Sequence, residues 1–305
     1  VPTPDSDNPS APARWHLVVP LKPLEVAKSR LGRRPYDVLR PRLALAFALD
    51  TVAAALACPA VAGVLVVTDD EVAGAALRGL GAEVVPDLPA AGLNAAVRHG
   101  EALWRARLGR RPAGGATAAG QPTALPRDRS AAGATAGTAP PGGARPAAAW
   151  VAALSADLAA LRAEELGRAL ALAAGHPRAF LADREGSGTT LLTAGPGRWL
   201  EPRFGTGSRA LHEASGAVPL PVAGLDSVRR DVDTPDDLEQ ARRLGLGPRT
   251  AALLRDDPAP GSPGGARGRP HGGPRAGSPT GPGPGPERAP GPASGPPAAW
   301  SPGTP

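Results

Sequence analysis

The sequence predicts an α/β fold with a mostly parallel sheet, on three observations. Short apolar runs recur at Leu17–Val19, Val61–Thr68, Trp150–Leu154 and Arg178–Ala182. Runs of that length and composition read as strands buried on both faces. Between them lie longer Ala- and Leu-rich segments with helical spacing, the pattern of strands joined by helical crossovers. The chemistry-bearing residues then fall just after strand ends, which in open α/β sheets is the ligand side.

Composition bounds how much of the chain folds. Gly 40 and Pro 39 are far above average for 305 residues and are unevenly spread. From Gly261 to Pro305, 26 of 45 residues are Gly or Pro. Such a tail cannot bury enough apolar surface to fold. The Ala/Gly/Pro/Thr stretch at about 109–149 reads the same way. The expected organisation is a disordered arm at 1–13, one domain over 14–257 with a disordered insert at about 109–149, and a disordered tail at 258–305. The two halves of the domain supply about 200 residues, ample for one core.

The net charge of +6 belongs to those low-complexity segments. The insert carries Arg110, Arg111, Arg127, Arg129 and Arg145 against Asp128, and the tail four arginines against Glu287. Together they exceed the total, so the folding part is near neutral and specific nucleic-acid binding is not expected. Cys58 is the single cysteine, which excludes an internal disulfide and a cysteine metal site. The run Leu43–Ala57 is too short to span a membrane and is broken by Asp50. We therefore expect a cytoplasmic protein without membrane contact.

Taken in order, the first strand, Leu17–Val19, is ended by Pro20, which has no N–H for a ladder. The loop after it holds Lys22, Lys28, Ser29 and Arg30. Lys22 and Lys28 are the chain's only lysines; every other cation among its 34 is arginine. Lysine is a compact, mobile point charge suited to phosphate oxygens. Val38–Leu56 reads as a helix starting near Pro41, because proline is tolerated in a first turn. The strand Val61–Thr68 runs into Asp69 and Asp70, which read first as a helix cap with acidic first-turn residues. Glu71–Leu80 is a short helix and Ala82–Pro86 a third strand. Gly92-Leu93-Asn94 opens a helix to about Leu108; that triplet suits either a cap or a contact with a base or ribose.

After the insert, Trp150–Leu154 resumes the sheet and leads into Ser155-Ala156-Asp157-Leu158. An acid just past a central strand is placed to hold a divalent cation or to cap a helix. Leu161–Ala174 reads as a helix and Arg178–Ala182 as a strand. Asp183–Thr190 (DREGSGTT) is a Gly-rich turn entering the strand Leu191-Leu192-Thr193, either a plain tight turn or a concave anion site made by successive amides. It is neither a Walker A loop nor a dinucleotide fingerprint. Phe204-Gly205-Thr206-Gly207-Ser208 leads into a helix whose amides can receive an anion, with His212 read as a helix-surface residue. In Leu225–Leu238, Thr234-Pro235-Asp236-Asp237 is a helix start. Asp231 and Asp233 read as alternating on a strand, with both carboxylates on one face.

Two lysines after the first strand and carboxylates after later elements suit phosphoryl or nucleotidyl transfer, with the acids holding a divalent cation against triphosphate. The ordered motifs PLKPLEVAKSRL, VVTDD, AGLNAAV, SADL, REGSGTTLL, FGTGS and DVDTPDDL resemble the guanylyltransferases of coenzyme F(420) biosynthesis. These act on phosphoenolpyruvate in actinobacteria and on 2-phospho-L-lactate in archaea. DVDTP alone is also similar to molybdenum-cofactor nucleotidyltransferases.

The resemblance implies the three-layer nucleotide-diphospho-sugar transferase fold and GMP transfer from GTP. It implies GTP phosphates on Lys22, Lys28 and Arg30, and guanine or ribose near Gly92 and Asn94. Mg2+ would sit on Asp157 and Asp233. Phosphoenolpyruvate would sit on Thr189, Gly205 and Ser208, with Thr190 the alternative to Thr189. It also implies handover of the product to a transferase acting on the deazaflavin precursor. Two features depart from the family pattern: Ala159 stands where proline usually follows the acidic loop, and the insert before Trp150 is long. A different acceptor, or nucleotide binding without turnover, would leave the same lysine loop.

Overall fold

The computed structural model describes residues 13–25, 27–28, 31, 39–109 and 149–256. The expected arm, insert and tail fall almost wholly outside them, as do Ser29 and Arg30. Seven strands form one sheet in the order β3-β2-β1-β4-β6-β5-β7. They are β1 Trp15–Pro20, β2 Val61–Val67, β3 Glu83–Val85, β4 Trp150–Leu154, β5 Arg178–Ala182, β6 Thr189–Ala194 and β7 Val218–Pro219. Only β6 runs against its neighbours, pairing antiparallel with both β4 and β5. The sheet is thus mostly parallel, as the buried apolar runs require.

The helices are α1 Arg40–Ala57, α2 Glu71–Gly79, α3 Leu93–Gly109, α4 Ala163–Ala173, α5 Ser208–Ala214, α6 Asp226–Arg229, α7 Pro235–Leu244 and α8 Pro248–Asp256. Apolar residues of α1, α2 and α4 pack with Leu17, Val64 and Leu191 on one face. On the other face, Ala96, Val97 and Trp104 of α3 pack with Val18, Leu65 and Leu192. Strand residues alternate between these two clusters, the period-two consequence of a sheet covered on both sides. The outer side of α1 buries Leu43 and Phe47 against Leu238 and Ala241 of α7 and Leu254 of α8. Sequence reading missed α8; its first turn is held from α1, where Asp50 accepts the amides of Arg249 and Thr250 at 3.1 and 2.8 Å.

Burial of polar groups also locks the layers. Glu101 and Arg105 of α3 pair at 2.8 Å with both side chains almost fully buried. Glu101 also accepts the Leu200 amide at 3.0 Å. Burial raises the Glu101 carboxyl above its usual range, while Arg105 and this amide oppose the rise.

The topology places the site. β1 sits between β2 and β4, so the chain leaves β1 in one direction and returns on its other side at β4. The loops after β1 and β4 therefore diverge over a crevice at the carboxyl edge, the usual ligand position in open α/β sheets.

Candidate active site

That crevice is a cavity of about 380 Å³. Its lining includes Lys22 from the loop after β1, Ser155 and Asp157 from the loop after β4, Leu93, Phe204 and Asp233. Residues as far apart in the chain as Pro20 and Asp233 thus share one space.

The lysine loop is anchored from the neighbouring strand. Asp70 caps α2 by accepting the Ala73 amide at 2.9 Å, and its other oxygen accepts the Leu24 amide at 2.8 Å. The cap reading of Asp70 holds, and the same carboxylate positions the loop. Lys28 lies beyond, with φ 58°. A left-handed backbone costs a non-glycine residue about 1 kcal/mol or more, and such conformations concentrate at functional sites. The Lys28 ammonium is hydrogen-bonded to Asp157 and lies 2.7 Å from Asp233 Oδ1. Burial lowers the Lys28 pKa, but the two carboxylates outweigh it and hold the group above the ordinary lysine range.

Asp157 is positioned by α1. The Thr51 hydroxyl donates to the Ala156 carbonyl at 3.2 Å and accepts the Leu158 amide at 3.0 Å, clamping the loop on either side of Asp157. The Asp157 carbonyl accepts the Val232 amide at 3.2 Å, joining this loop to the 231–233 segment. That segment is not a strand, which corrects the expectation of alternating acids. It is a connector between α6 and α7, ended by the expected helix start, which the structure shows to be a capping box: Thr234 accepts from Asp237 N, and Asp237 accepts from Thr234 N. The two acids still converge. Burial pushes the Asp231 carboxyl up to about 8, with the charges of Asp157 and Asp233 adding to the rise.

Among the described residues no group of three or more His, Cys, Asp or Glu is already arranged to hold a metal ion. The donor set nevertheless suits a hard cation. Asp157 and Asp233 hold one buried ammonium, the Asp231 carboxyl interacts electrostatically with all three, and Asp157 Oδ1 is buried without a hydrogen-bond partner.

The other sequence candidates fall beside the cavity. Gly92 is exposed at the start of α3, with φ 86°. Asn94 is turned to the protein: its Nδ2 donates to the Phe204 carbonyl at 3.0 Å, and its Oδ1 accepts the Phe204 amide at 2.7 Å. It therefore carries the FGTGS loop on α3, with one N–H and one lone pair remaining. Gly205 has φ 128°, a backbone that side chains rarely adopt, and Ser208 is buried at the start of α5.

The Gly-rich turn is closed on itself. Asp183 accepts the Ser187 and Gly188 amides at 2.9 and 2.8 Å, and its carbonyl accepts that of Gly186. Those three amides are engaged inside the turn, so it reads as the plain tight turn and not as a nest of free amides. Gly188 is required there, since a Cβ would lie 2.3 Å from Asp183 Oδ2.

Thr189 and Thr190 both lie at the start of β6, and the Thr190 carbonyl accepts the amide of cavity-lining Ser155 at 2.9 Å. The Thr190 hydroxyl is buried without a partner, whereas Thr189 Oγ1 lies 2.9 Å from His212 Nδ1. His212 is not the surface residue expected: it is fully buried between Phe180 and Phe204, with ring centroids 6.0 and 5.1 Å away. A helix only seven residues long offers too little periodicity to reveal that face.

No family profile matches the chain. Curated relatives do. The chain is 53% identical over 240 residues to a phosphoenolpyruvate guanylyltransferase of Streptomyces coelicolor, covering 79% of this chain and 95% of that one. It is 51% identical over 245 residues to the protein of that name from Thermomonospora curvata, covering 80% and 90%. The Salinispora arenicola protein of the same name is 48% identical over 241 residues, covering 78% and 92%. Among solved structures, a protein assigned as a nucleotide-diphospho-sugar transferase from Desulfovibrio desulfuricans G20 superposes with a TM-score of 0.51 at 15% identity, covering 80% of this chain and 95% of that one. That likeness bears on the fold alone and agrees with the three layers described above. With identity near one half across nearly the full length of these relatives, the chain belongs to the phosphoenolpyruvate guanylyltransferase family and is a nucleotidyltransferase.

Proposed function

We propose that this enzyme transfers GMP from GTP to phosphoenolpyruvate, giving enolpyruvyl-2-diphospho-5'-guanosine and pyrophosphate. The observation that carries the reading is the Lys28 ammonium set between Asp157 and Asp233 in a cavity shared with Lys22. The names of the relatives supply the acceptor.

The chemistry needs no general base. A phosphate oxygen of phosphoenolpyruvate, ionised at neutral pH, attacks the α-phosphorus of GTP; a P–O bond forms, and the bond to the β-phosphate oxygen breaks in line. The protein has to bring two anions together and offset their repulsion. Lys22 and Lys28 would hold the triphosphate, with Arg30 from the same loop. Gly92 would allow close backbone approach by the nucleoside, with the remaining polar capacity of Asn94 nearby. Thr189, Gly205 and Ser208 would receive the acceptor. Asp157 and Asp233 would hold Mg2+, with Asp231 as a third carboxylate. Bound there, the ion would neutralise charge on the transferring and leaving phosphates. The anhydride product is activated for a following transfer, and that is where the coenzyme F(420) pathway and the handover implied by the sequence resemblance would enter.

No helix among the described residues is long and apolar enough to cross a membrane. We place the reaction in the cytoplasm, where GTP and phosphoenolpyruvate are available. The test is pyrophosphate release from GTP and Mg2+ with phosphoenolpyruvate or 2-phospho-L-lactate in separate reactions. Faster release with phosphoenolpyruvate supports the proposal. Faster release with 2-phospho-L-lactate corrects the acceptor, and silence with both overturns it.

A further inference from the structure

Resting on the phosphoenolpyruvate reading, we propose that His212 is a positioning residue that fixes the Thr189 hydroxyl as a hydrogen-bond donor to the acceptor's anionic oxygens. The backbone amide of Arg203 donates to His212 Nε2 at 2.9 Å. An amide can only donate, so Nε2 carries no proton and a neutral imidazole must carry it on Nδ1. Nδ1–H then points at Thr189 Oγ1, 2.9 Å away. The Thr189 oxygen is therefore an acceptor in this bond, and its own proton is left for another group. Among the described residues it has no other partner. A hydroxyl held in this way is polarised to meet a negative oxygen.

Strand register brings the pair together. The β5–β6 ladder slips between Leu181 and Ala182: Leu181 pairs with Leu191, and Ala182 with Thr189. Thr190 is the extra residue of this bulge. Bulges re-aim side chains, often beside active sites. Strict alternation would set Thr189 on the face of Leu191, away from Phe180; the bulge turns it instead to the face where His212 lies against Phe180 and Phe204. Phe204 lines the cavity, so the Arg203–His212–Thr189 chain connects the FGTGS loop to the start of β6.

The experiment compares Thr189→Val, His212→Gln and His212→Asn in steady-state kinetics, alongside imidazole 15N NMR of the wild type. Glutamine can accept from the Arg203 amide but has no donor at the Nδ1 position. Asparagine places its amide nitrogen near Nδ1 and restores that donor. We expect His212→Gln and Thr189→Val each to raise the phosphoenolpyruvate KM about tenfold. The GTP KM stays within about twofold, and His212→Asn largely recovers the acceptor KM. The Thr189→Val/His212→Gln double variant should be no worse than Thr189→Val alone, since His212 acts through Thr189. Wild-type 15N shifts should report an Nδ1–H tautomer. Multiplying effects in the double variant, an unchanged acceptor KM, or an Nε2–H tautomer overturn the proposal. If His212→Gln does not fold, Thr189→Val and the spectrum decide it. An inactive wild type overturns the acceptor reading and this role together, whereas an active wild type with unmoved KM values removes only this role.

Discussion

Lys28 Nζ lies 2.7 Å from Asp233 Oδ1, joining a loop at the start of the chain to one near its folded end. The same ammonium holds Asp157, so three separate segments meet on one cation. Lys28→Ala removes that charge from the place where the proposed mechanism stabilises phosphates. Turnover should fall on the order of 100-fold or more at saturating GTP, the scale of losing an electrostatic transition-state contact. Stopped-flow or coupled pyrophosphate assays check this, and a loss under threefold would remove Lys28 from the chemistry.

Chelation should silence the enzyme. With Asp157 and Asp233 on one ammonium, EDTA treatment is expected to abolish pyrophosphate release and added Mg2+ to restore it. Asp157→Asn should shift the Mg2+ concentration giving half-maximal rate upward by about tenfold or more, the scale of weakening a metal's ligand set. An unchanged Mg2+ titration in that variant would exclude Asp157 as a ligand.

Asn94 decides between two roles. Its amide spans both backbone groups of Phe204, so Asn94→Asp keeps one bond and sets a carboxylate against the Phe204 carbonyl. A loss of about 1–3 kcal/mol in stability is expected, as for other broken buried polar pairs. KM for both substrates should rise, because Phe204 lines the cavity. If stability is unmoved while preference for GTP over ATP collapses, the residue reads the base instead.

Acid should weaken the fold through His212. Burial pushes its pKa from 6.5 down to about 4, with the charges of Arg178 and Arg203 adding to the effect. The groups facing the ring are Thr189 of β6, Phe180 of β5, and Arg203 and Phe204 of the loop. Because the folded pKa is depressed, the unfolded chain binds this proton first as pH falls. The contribution is complete above pH 6.5 and disappears toward pH 4, with an upper bound of about 3 kcal/mol. Thermal melts across that window should slope less steeply for His212→Asn than for wild type. Parallel slopes would contradict the assignment.

Glu101→Ala should damage the fold and not the chemistry. It leaves the buried Arg105 guanidinium without its carboxylate and frees the Leu200 amide. The expected cost is about 3–5 kcal/mol, as for breaking a buried pair from one side. Urea unfolding measures it, while KM values in the surviving folded fraction should match wild type.

Local chemistry made much of this protein legible from its residues alone. Apolar runs marked six of the seven strands because a sheet covered on both faces demands them; β7, two residues long, carries no period. Asp70 and Thr234 marked helix starts because capping is a bond between near neighbours, and Pro41 and Pro235 because proline suits a first turn. The rarity and placement of Lys22 and Lys28 marked the loop that lines the cavity. The tertiary structure alone decided which distant groups share a proton or a charge. No local pattern could place Asp231 and Asp233 in a connector beside Asp157, or turn Thr189 through a bulge toward His212. Nor could one direct the Asn94 amide to Phe204, 110 residues away. Each of those contacts depends on strand order and register, which arise from the packing of the whole sheet, and side-chain identity along the chain does not encode them one by one.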